Sequence, residues 1–538
     1  GLFAGMMGGR YGAKASAGFA RNLREAMFNN IQTFSFANID KFSTAGLVTR
    51  MTTDVTNIQN AYQMILRMFT RAPASMICAM VMAFTINARL ACIYLVAVII
   101  LGILLFLIMS HATKYFQQAF PKYDDLNESV QENVSAIRVV KAYVREEQET
   151  SKLRRASENI YNIFVKAETN LVFNAPMMQT AVYTCILLVS WFGAKMIASN
   201  SLTTGELMSL LTYCMNILMS LMMLSMVFVM ITMSMASAKR ISEVLNETSD
   251  LKNPEHPFMK VEDGSIEFRH VDFAYKKDSD EPVLEDIDLK IRSGETIGII
   301  GGTGSGKSTL VSLIPRFYDP QEGTVKVNGI NAKDYPQGEL CSEIGVVQQR
   351  SILFKGSIRD NLKWGNDQAS DEDLWKAITI AQAKDVVEAK PGKLDFEVEQ
   401  NGRNLSGGQK QRLTIARALV SKPEILILDD SLSALDFATD AALRKAIGEL
   451  EGNVTTFLVS QRISGIRQAD KILVMEDGEL AGQGTHEELM ETCETYQEIY
   501  YSQFPEERPA AVKSSKETGK DLDKADKMTE KAEKGAAE

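Results

Sequence analysis

Residues 296–309 read Thr296-Ile297-Gly298-Ile299-Ile300-Gly301-Gly302-Thr303-Gly304-Ser305-Gly306-Lys307-Ser308-Thr309. Residues 296–300 have the apolar character of a buried strand. The stretch 301–308 fits G-x-x-x-x-G-K-[ST] and opens a helix, which is the context that motif requires. Glycines let backbone N–H groups curl around a phosphate, and the helix N-terminus adds partial positive charge. Lys307 would reach the β and γ oxygens of a nucleoside triphosphate, and Ser308 would ligate Mg²⁺. The bland alternative is a glycine-rich turn without a ligand. The strand before it and the helix after it weigh against that reading.

Two further segments downstream carry related chemistry. Glu424-Ile425-Leu426-Ile427-Leu428-Asp429 is an apolar strand ending in an acid. A strand C-terminus beside a phosphate loop is where a Mg²⁺-organising carboxylate belongs. Alone this pattern is weak, because many core strands end in Asp. Leu405-Ser406-Gly407-Gly408-Gln409 opens another helix, expected over 409–421. Glycines at a helix start present free N–H groups to an anion, although an ordinary capped helix start reads the same way.

Outward from this centre the chain changes character. It has 538 residues, enough for two or more domains, and is 45% hydrophobic with a formal net charge of -10. That charge and a pI near 5.3 argue against nucleic acid as a partner. Six cysteines are scattered without a C-x-x-C pair, so they read as reduced thiols rather than a disulfide framework or metal set. Residues 72–86 followed by 90–109, and 173–198 followed by 206–235, are apolar enough to form two hairpins of membrane-spanning helices. The polar stretches 10–70 and 110–171 hold Arg10, Lys14, Arg21, Arg24, Lys114, Lys122, Arg138, Lys141 and Arg145, whereas the turns 87–89 and 199–205 hold little positive charge. The positive-inside bias places the long stretches in the cytoplasm. Residues 236–262 read as a polar linker. Short strands then alternate with helices over 263–504, an α/β pattern. Residues 505–538 are a Lys-, Glu- and Ala-rich tail expected to be disordered.

The phosphate loop, Leu405-Ser406-Gly407-Gly408-Gln409 and the strand ending at Asp429 occur in an order and spacing that resemble the nucleotide-binding domain of ABC transporters. The resemblance implies further roles. Tyr275 would stack on adenine. Gln349 would be the Q-loop glutamine, near both the metal and the reacting phosphate. Ser433-Ala434-Leu435-Asp436 would be the D-loop. Gly301, Gly302, Thr303, Gly304, Ser305, Gly306, Lys307, Ser308 and Thr309 would hold ATP. Ser406, Gly407, Gly408 and Gln409 would complete a site on a second cassette. Mg²⁺ would sit on Ser308, Gln349 and Asp429. The membrane portion resembles an exporter-type half-transporter: an all-α transmembrane domain fused to an α/β P-loop nucleotide-binding domain. Such halves have six spans, so the first and part of the second are expected to be missing from residues 1–235. Residues 35–42 and 135–143 would be coupling helices. The implied setting is a multi-pass protein of the bacterial inner membrane, with a cytoplasmic nucleotide-binding domain.

Two positions depart from the family pattern. A glutamate follows the aspartate at the strand end in the family and polarises the attacking water. Here that residue is Asp430, one methylene short. A misplacement of about 1 Å can cost on the order of 100-fold in rate, or roughly 3 kcal/mol. The family's switch histidine is replaced by Gln461, which donates a hydrogen bond without an imidazolium's charge. Drift at a working site is one reading of these changes. The other is a slow own-site pocket in one half of a heterodimeric exporter, whose second half would be a different subunit carrying the competent glutamate and histidine.

Met208, Met215, Met219, Met222, Met226, Met230 and Met233 recur on one face of the last span. They read as packing against neighbouring helices or lipid, with an adaptable path for an amphipathic substrate as the alternative. Other functions within reach are a lipid flippase or floppase and an importer on the same fold. A soluble regulatory or translation-linked cassette ATPase is disfavoured by the fused spans.

Overall fold

The computed structural model describes residues 2–258, 260–261, 263–276, 282–450 and 452–508. The charged tail expected over 505–538 lies outside the described residues beyond Arg508. The chain divides into two compact units, Gly1–Phe34 with Asn38–Thr248, and Ser35–Ala37 with Ser249–Glu538.

The first unit is helical throughout. Among the described residues, four helical stretches are long and apolar enough to cross a membrane: Thr44–Ile86, Ala88–Ile108, Glu146–Ala198 and Thr204–Asn246. The turn between the first two is made by Asn87, whose side-chain oxygen accepts from the backbone of Arg89 (3.0 Å) and Leu90 (3.2 Å) and so caps the helix Ala88–Ser135. Thr203 and Glu206 form a reciprocal capping box at the start of Thr204–Asn246. Small residues let the spans approach closely. A Cβ at Gly193 would come 2.5 Å from the Leu207 Cδ1, so glycine here lets that leucine pack closely between the two helices. Tyr94 is buried in the same core and donates to the Leu210 carbonyl at 3.1 Å.

The last helix runs on to Asn246, so residues 236–246, expected as linker, are helical. The reason is burial: Ile241 and Val244 pack with Ala20, Met27, Leu47 and Val55 in a second apolar cluster. Asp54, fully buried, binds Arg240 twice (2.5 and 2.8 Å) and accepts from Ser237 at 2.8 Å. It ends a π-helical segment, Arg50–Asp54, within the first spanning stretch. The methionine face of Thr204–Asn246 is left mostly exposed by this unit, with Met230 half-buried. Met208, Met215, Met219, Met222, Met226 and Met233 are all exposed, while Leu210, Cys214, Ile217 and Leu221 on the other side are buried.

The second unit contains the α/β sheets. A six-stranded sheet has the order Glu479–Gly484, Lys471–Glu476, Thr296–Gly301, Thr455–Val459, Ile425–Asp429 and Ile344–Val347. All its pairs are parallel except the one between the first two. A four-stranded antiparallel sheet is built around Ile266–Phe273. The central strands Ile425–Asp429 and Thr455–Val459 are buried along almost their whole length because both sheet faces are covered. Thr296–Gly301 and Ile425–Asp429 flank Thr455–Val459, so three strand ends converge on one edge. Phe36 belongs to this unit and its ring stacks on Phe317 at 4.2 Å.

Candidate active site

The strand Thr296–Gly301 delivers the chain into the glycine loop, and Lys307–Leu313 leaves it as a helix. Gly304 and Gly306 hold φ angles of +89° and +91°, which non-glycine residues rarely adopt. A side chain at Gly302 or Gly304 would meet open space, so both leave the loop's inner surface clear. Gly301 instead lies against the sheet: a Cβ there would sit 2.1 Å from the Met475 carbonyl oxygen.

Lys307 is buried, and its ammonium bonds the carbonyls of Gly301 (3.0 Å) and Gly302 (2.5 Å) and the Ser305 hydroxyl (3.3 Å). These are neutral groups of its own loop. Burial lowers its pKa, opposed by the nearby Asp430 and Asp429 carboxylates. The Ser308 hydroxyl donates to Asp429 at 2.9 Å. Burial raises the Asp429 pKa, with Asp430 adding to the rise and Ser308 and Lys307 opposing it.

Asp430 stands in the left-handed region at φ +44°, an uncommon conformation for a non-glycine residue. Its backbone N–H donates to the Val459 carbonyl at 3.1 Å, and its carboxylate accepts from the Gln349 amide at 3.2 Å. Gln461 follows the neighbouring strand Thr455–Val459. One pocket of about 300 Å³ is lined by Thr303, Gly304, Gly306, Lys307, Ser308, Thr309, Gln349, Asp429, Asp430 and Gln461. Sequence-distant residues thus meet around the phosphate loop. Val283 and Ser460 also line the pocket, although no motif marks them.

Other expected residues are not part of this lining, though some bond to residues that are. The Tyr275 ring packs edge-on against Tyr318 (5.2 Å) and Phe273 (5.0 Å), and its hydroxyl pairs with Thr309 at 3.0 Å. Ser406 caps the helix Gly407–Val420 through a capping box with Gln409. Ser406 and Gly407 are exposed. Asp436 caps Phe437–Gly448, and Ser433 donates to the Asp430 carbonyl at 2.9 Å, which ties the D-loop candidate to the pocket.

Residues 1–222 match the ABC transporter transmembrane region family, and residues 284–433 match the ABC transporter family. The chain is 37% identical over 504 residues to the uncharacterized ABC transporter ATP-binding protein YfiB of Bacillus subtilis (strain 168), covering 94% of this chain and 87% of that protein. The chain belongs to the ABC transporter family. This ABC transporter chain is also 34% identical to the probable multidrug resistance ABC transporter ATP-binding/permease protein YheI of the same strain, over 89% of this chain and 82% of that one. It is 31% identical to the ATP-dependent lipid A-core flippase of Desulfotalea psychrophila (strain LSv54 / DSM 12343), over 90% and 84%. Among solved structures, a bacterial Atm1-family ABC exporter with ATP bound superposes with a TM-score of 0.81 at 26% identity, covering 91% of this chain and 86% of that one. The ABC transporter chain therefore has the membrane-embedded exporter fold. It binds ATP and couples ATP hydrolysis to transport.

Proposed function

We propose that this chain is one half of a heterodimeric exporter and that its own ATP pocket is the slowly hydrolysing one. The observation that carries this is the convergence of Asp430 and Gln461, the two departures from the family pattern, on the pocket that also holds Lys307. Changes scattered over the surface would read as drift. Here both lie where the attacking water and the γ-phosphate would be handled. Asp430 is moreover engaged by Gln349, which leaves its short carboxylate directed at an amide. In this reading Gly301–Thr309 of the loop cradle the phosphates, Lys307 contacts the β and γ oxygens, and Tyr275 supports adenine. Ser406-Gly407-Gly408-Gln409, with Ser406 and Gly407 exposed, would complete the pocket of a different, competent subunit.

Ser308 and Asp429 present a hydroxyl and a carboxylate oxygen 2.9 Å apart. Oxygen donors of this kind suit a hard divalent cation. Mg²⁺, held by them with Gln349, would supply charge neutralisation on the β and γ phosphates. The nucleotide-binding bounds 263–504 and the coupling segments 35–42 and 135–143 belong to the same reading. So do the bacterial inner membrane and a cytoplasmic nucleotide-binding domain, supported by the basic residues of the long polar stretches.

The cargo is proposed to be amphipathic. A groove of about 730 Å³ between Ala88–Ser135 and Asn174–Ala198 is lined mainly by apolar groups such as Val96, Ile100, Leu104 and Leu188. A lipid cargo is the second reading, favoured by the likeness to a lipid A-core flippase. The deciding experiment compares steady-state ATPase of the purified chain alone and co-purified with its partner subunit. The chain alone is expected to be nearly inactive and the complex active. High activity from the chain alone would overturn the proposal. Vesicle assays with dye and with labelled lipid separate the two cargoes.

A further inference from the structure

The loop after Thr455–Val459 is short, and its pocket-facing residue Gln461 is exposed. Within the loop the Ser460 hydroxyl accepts from the Arg462 N–H at 2.9 Å and donates to the Arg462 carbonyl at 3.2 Å, but neither bond reaches Gln461 itself. The loop is clasped from outside. Gln503, the last residue of the helix Glu494–Gln503, uses both ends of its amide. Its nitrogen donates to the Gln461 carbonyl at 2.8 Å, and its oxygen accepts from the Ile463 N–H at 3.0 Å. The two bonds bracket Arg462 and fix the backbone on either side of it. From the other flank, Arg444 donates to the Ser464 carbonyl at 2.8 Å.

The clasp is rigidly mounted. Tyr496 and Tyr500 on the same helix are 0% and 3% exposed and lie in the main core. Tyr496 pairs with the buried His486 at 2.8 Å. A helix anchored this firmly gives Gln503 a fixed origin from which to set the loop. Two hydrogen bonds from one planar amide also define the loop's orientation, which a single bond would not.

We propose that Gln503 is a positioning residue for γ-phosphate recognition: it sets the backbone from which Gln461 reaches the pocket. The inference rests on the reading of Gln461 as the residue facing the γ-phosphate. It predicts a signature that general stabilisation does not give. Loss of the clasp weakens binding of MgATP, which has a γ-phosphate, and leaves MgADP binding unchanged.

The test uses the full chain in lipid nanodiscs, with MgATP and MgADP each displacing a fluorescent ATP analogue. Gln503→Met keeps the side-chain length and removes both bonds. It is expected to weaken MgATP about three- to tenfold, the scale of one or two lost hydrogen bonds, without changing MgADP. Gln461→Ala is expected to give the same pattern, and the double variant to be no worse than either single. If Gln503→Met impairs folding, Gln503→Glu serves in its place. It keeps the acceptor for Ile463 and sets an oxygen against the Gln461 carbonyl, so it too should weaken MgATP selectively. If Gln461→Ala weakens MgATP selectively while the Gln503 variants change neither nucleotide, or both equally, the inference is overturned and the site reading stands. If Gln461→Ala has no selective effect, the site reading fails and the inference with it.

Discussion

The Gln349 amide donates to the Asp430 carboxylate at 3.2 Å across the phosphate pocket. Asp430 is in turn held at φ +44°, with its N–H bonded to the Val459 carbonyl. Its carboxylate is thus fixed at its base by the backbone and at its tip by a neighbour. A longer side chain at this position would project further into the pocket from the same anchor.

Asp430→Glu combined with Gln461→His should therefore raise own-site turnover by about tenfold or more, since general-base placement is worth roughly 10²–10⁴-fold. The check is single-turnover hydrolysis in the assembled transporter with the other pocket disabled. No gain would show that neither residue limits the rate.

Lys307→Ala should weaken MgATP binding by about 10- to 100-fold, the equivalent of roughly 1.5–3 kcal/mol for hydrogen bonds to a charged group. The buried ammonium bonds the Gly301 and Gly302 carbonyls and the Ser305 hydroxyl, all in its own loop. Its removal should leave the thermal midpoint nearly unchanged, which separates a binding defect from unfolding.

Asp429 links metal affinity to pH. Burial raises its pKa above the ordinary value of about 3.9, so it takes up a proton while an exposed aspartate is still ionised. For folding, an acid with a raised pKa destabilises the unliganded domain as pH rises through its two pKa values. For Mg²⁺ the sign is reversed, because the ligand must be ionised. Affinity for Mg²⁺ should fall as the pH is lowered, beginning at a pH where an ordinary aspartate stays charged. Titration of MgATP binding against Mg²⁺ at each pH checks this, and Asp429→Asn should remove the dependence.

Gly301→Ala should destabilise the nucleotide-binding domain by about 1–3 kcal/mol, a typical cost of forcing extra atoms into a packed site. The added carbon would sit 2.1 Å from the Met475 carbonyl oxygen, a backbone atom of the adjoining strand. A lowered unfolding midpoint together with weaker ATP binding is the expected pair of results.

Asp54→Ala should cost about 2–4 kcal/mol in the membrane unit. Removing one partner of a buried ion pair typically costs about 3–5 kcal/mol, and here Arg240 keeps 32% of its side chain exposed, which moderates the loss. Asp54→Asn, which retains an acceptor for Ser237, should cost less. Thermal unfolding in detergent checks the order of the two variants.

The phosphate pocket was legible because each part carries a local signature: glycines before Lys307, an apolar strand before Asp429, and Gln349 recognised through the family resemblance. Their meeting in one pocket follows from strand order, since the strands ending at Gly301, Asp429 and Val459 lie side by side. The end of the last membrane helix was not legible. Residues 236–246 include Ser237, Lys239, Arg240, Ser242 and Glu243, which read as linker, and only the spacing of Ile241, Val244 and Leu245 hints at a buried face. The π-helical segment Arg50–Asp54 has no compositional mark at all. Gln503 was invisible for a different reason. Its partners are the backbone atoms of Gln461 and Ile463, and a backbone partner leaves no trace in residue identity.

The methionine face of Thr204–Asn246 exposes thioethers at Met208, Met215, Met219, Met222, Met226 and Met233. Thioethers oxidise to sulfoxides, which are polar and chiral. An oxidant that reaches this helix would roughen a greasy surface with S=O dipoles, one sulfur at a time, while leaving the nucleotide pocket chemically intact. Oxidative damage would then strike the membrane half first: a chain that still holds ATP but whose methionine face has changed character, reversibly so wherever sulfoxide reductases can reach it.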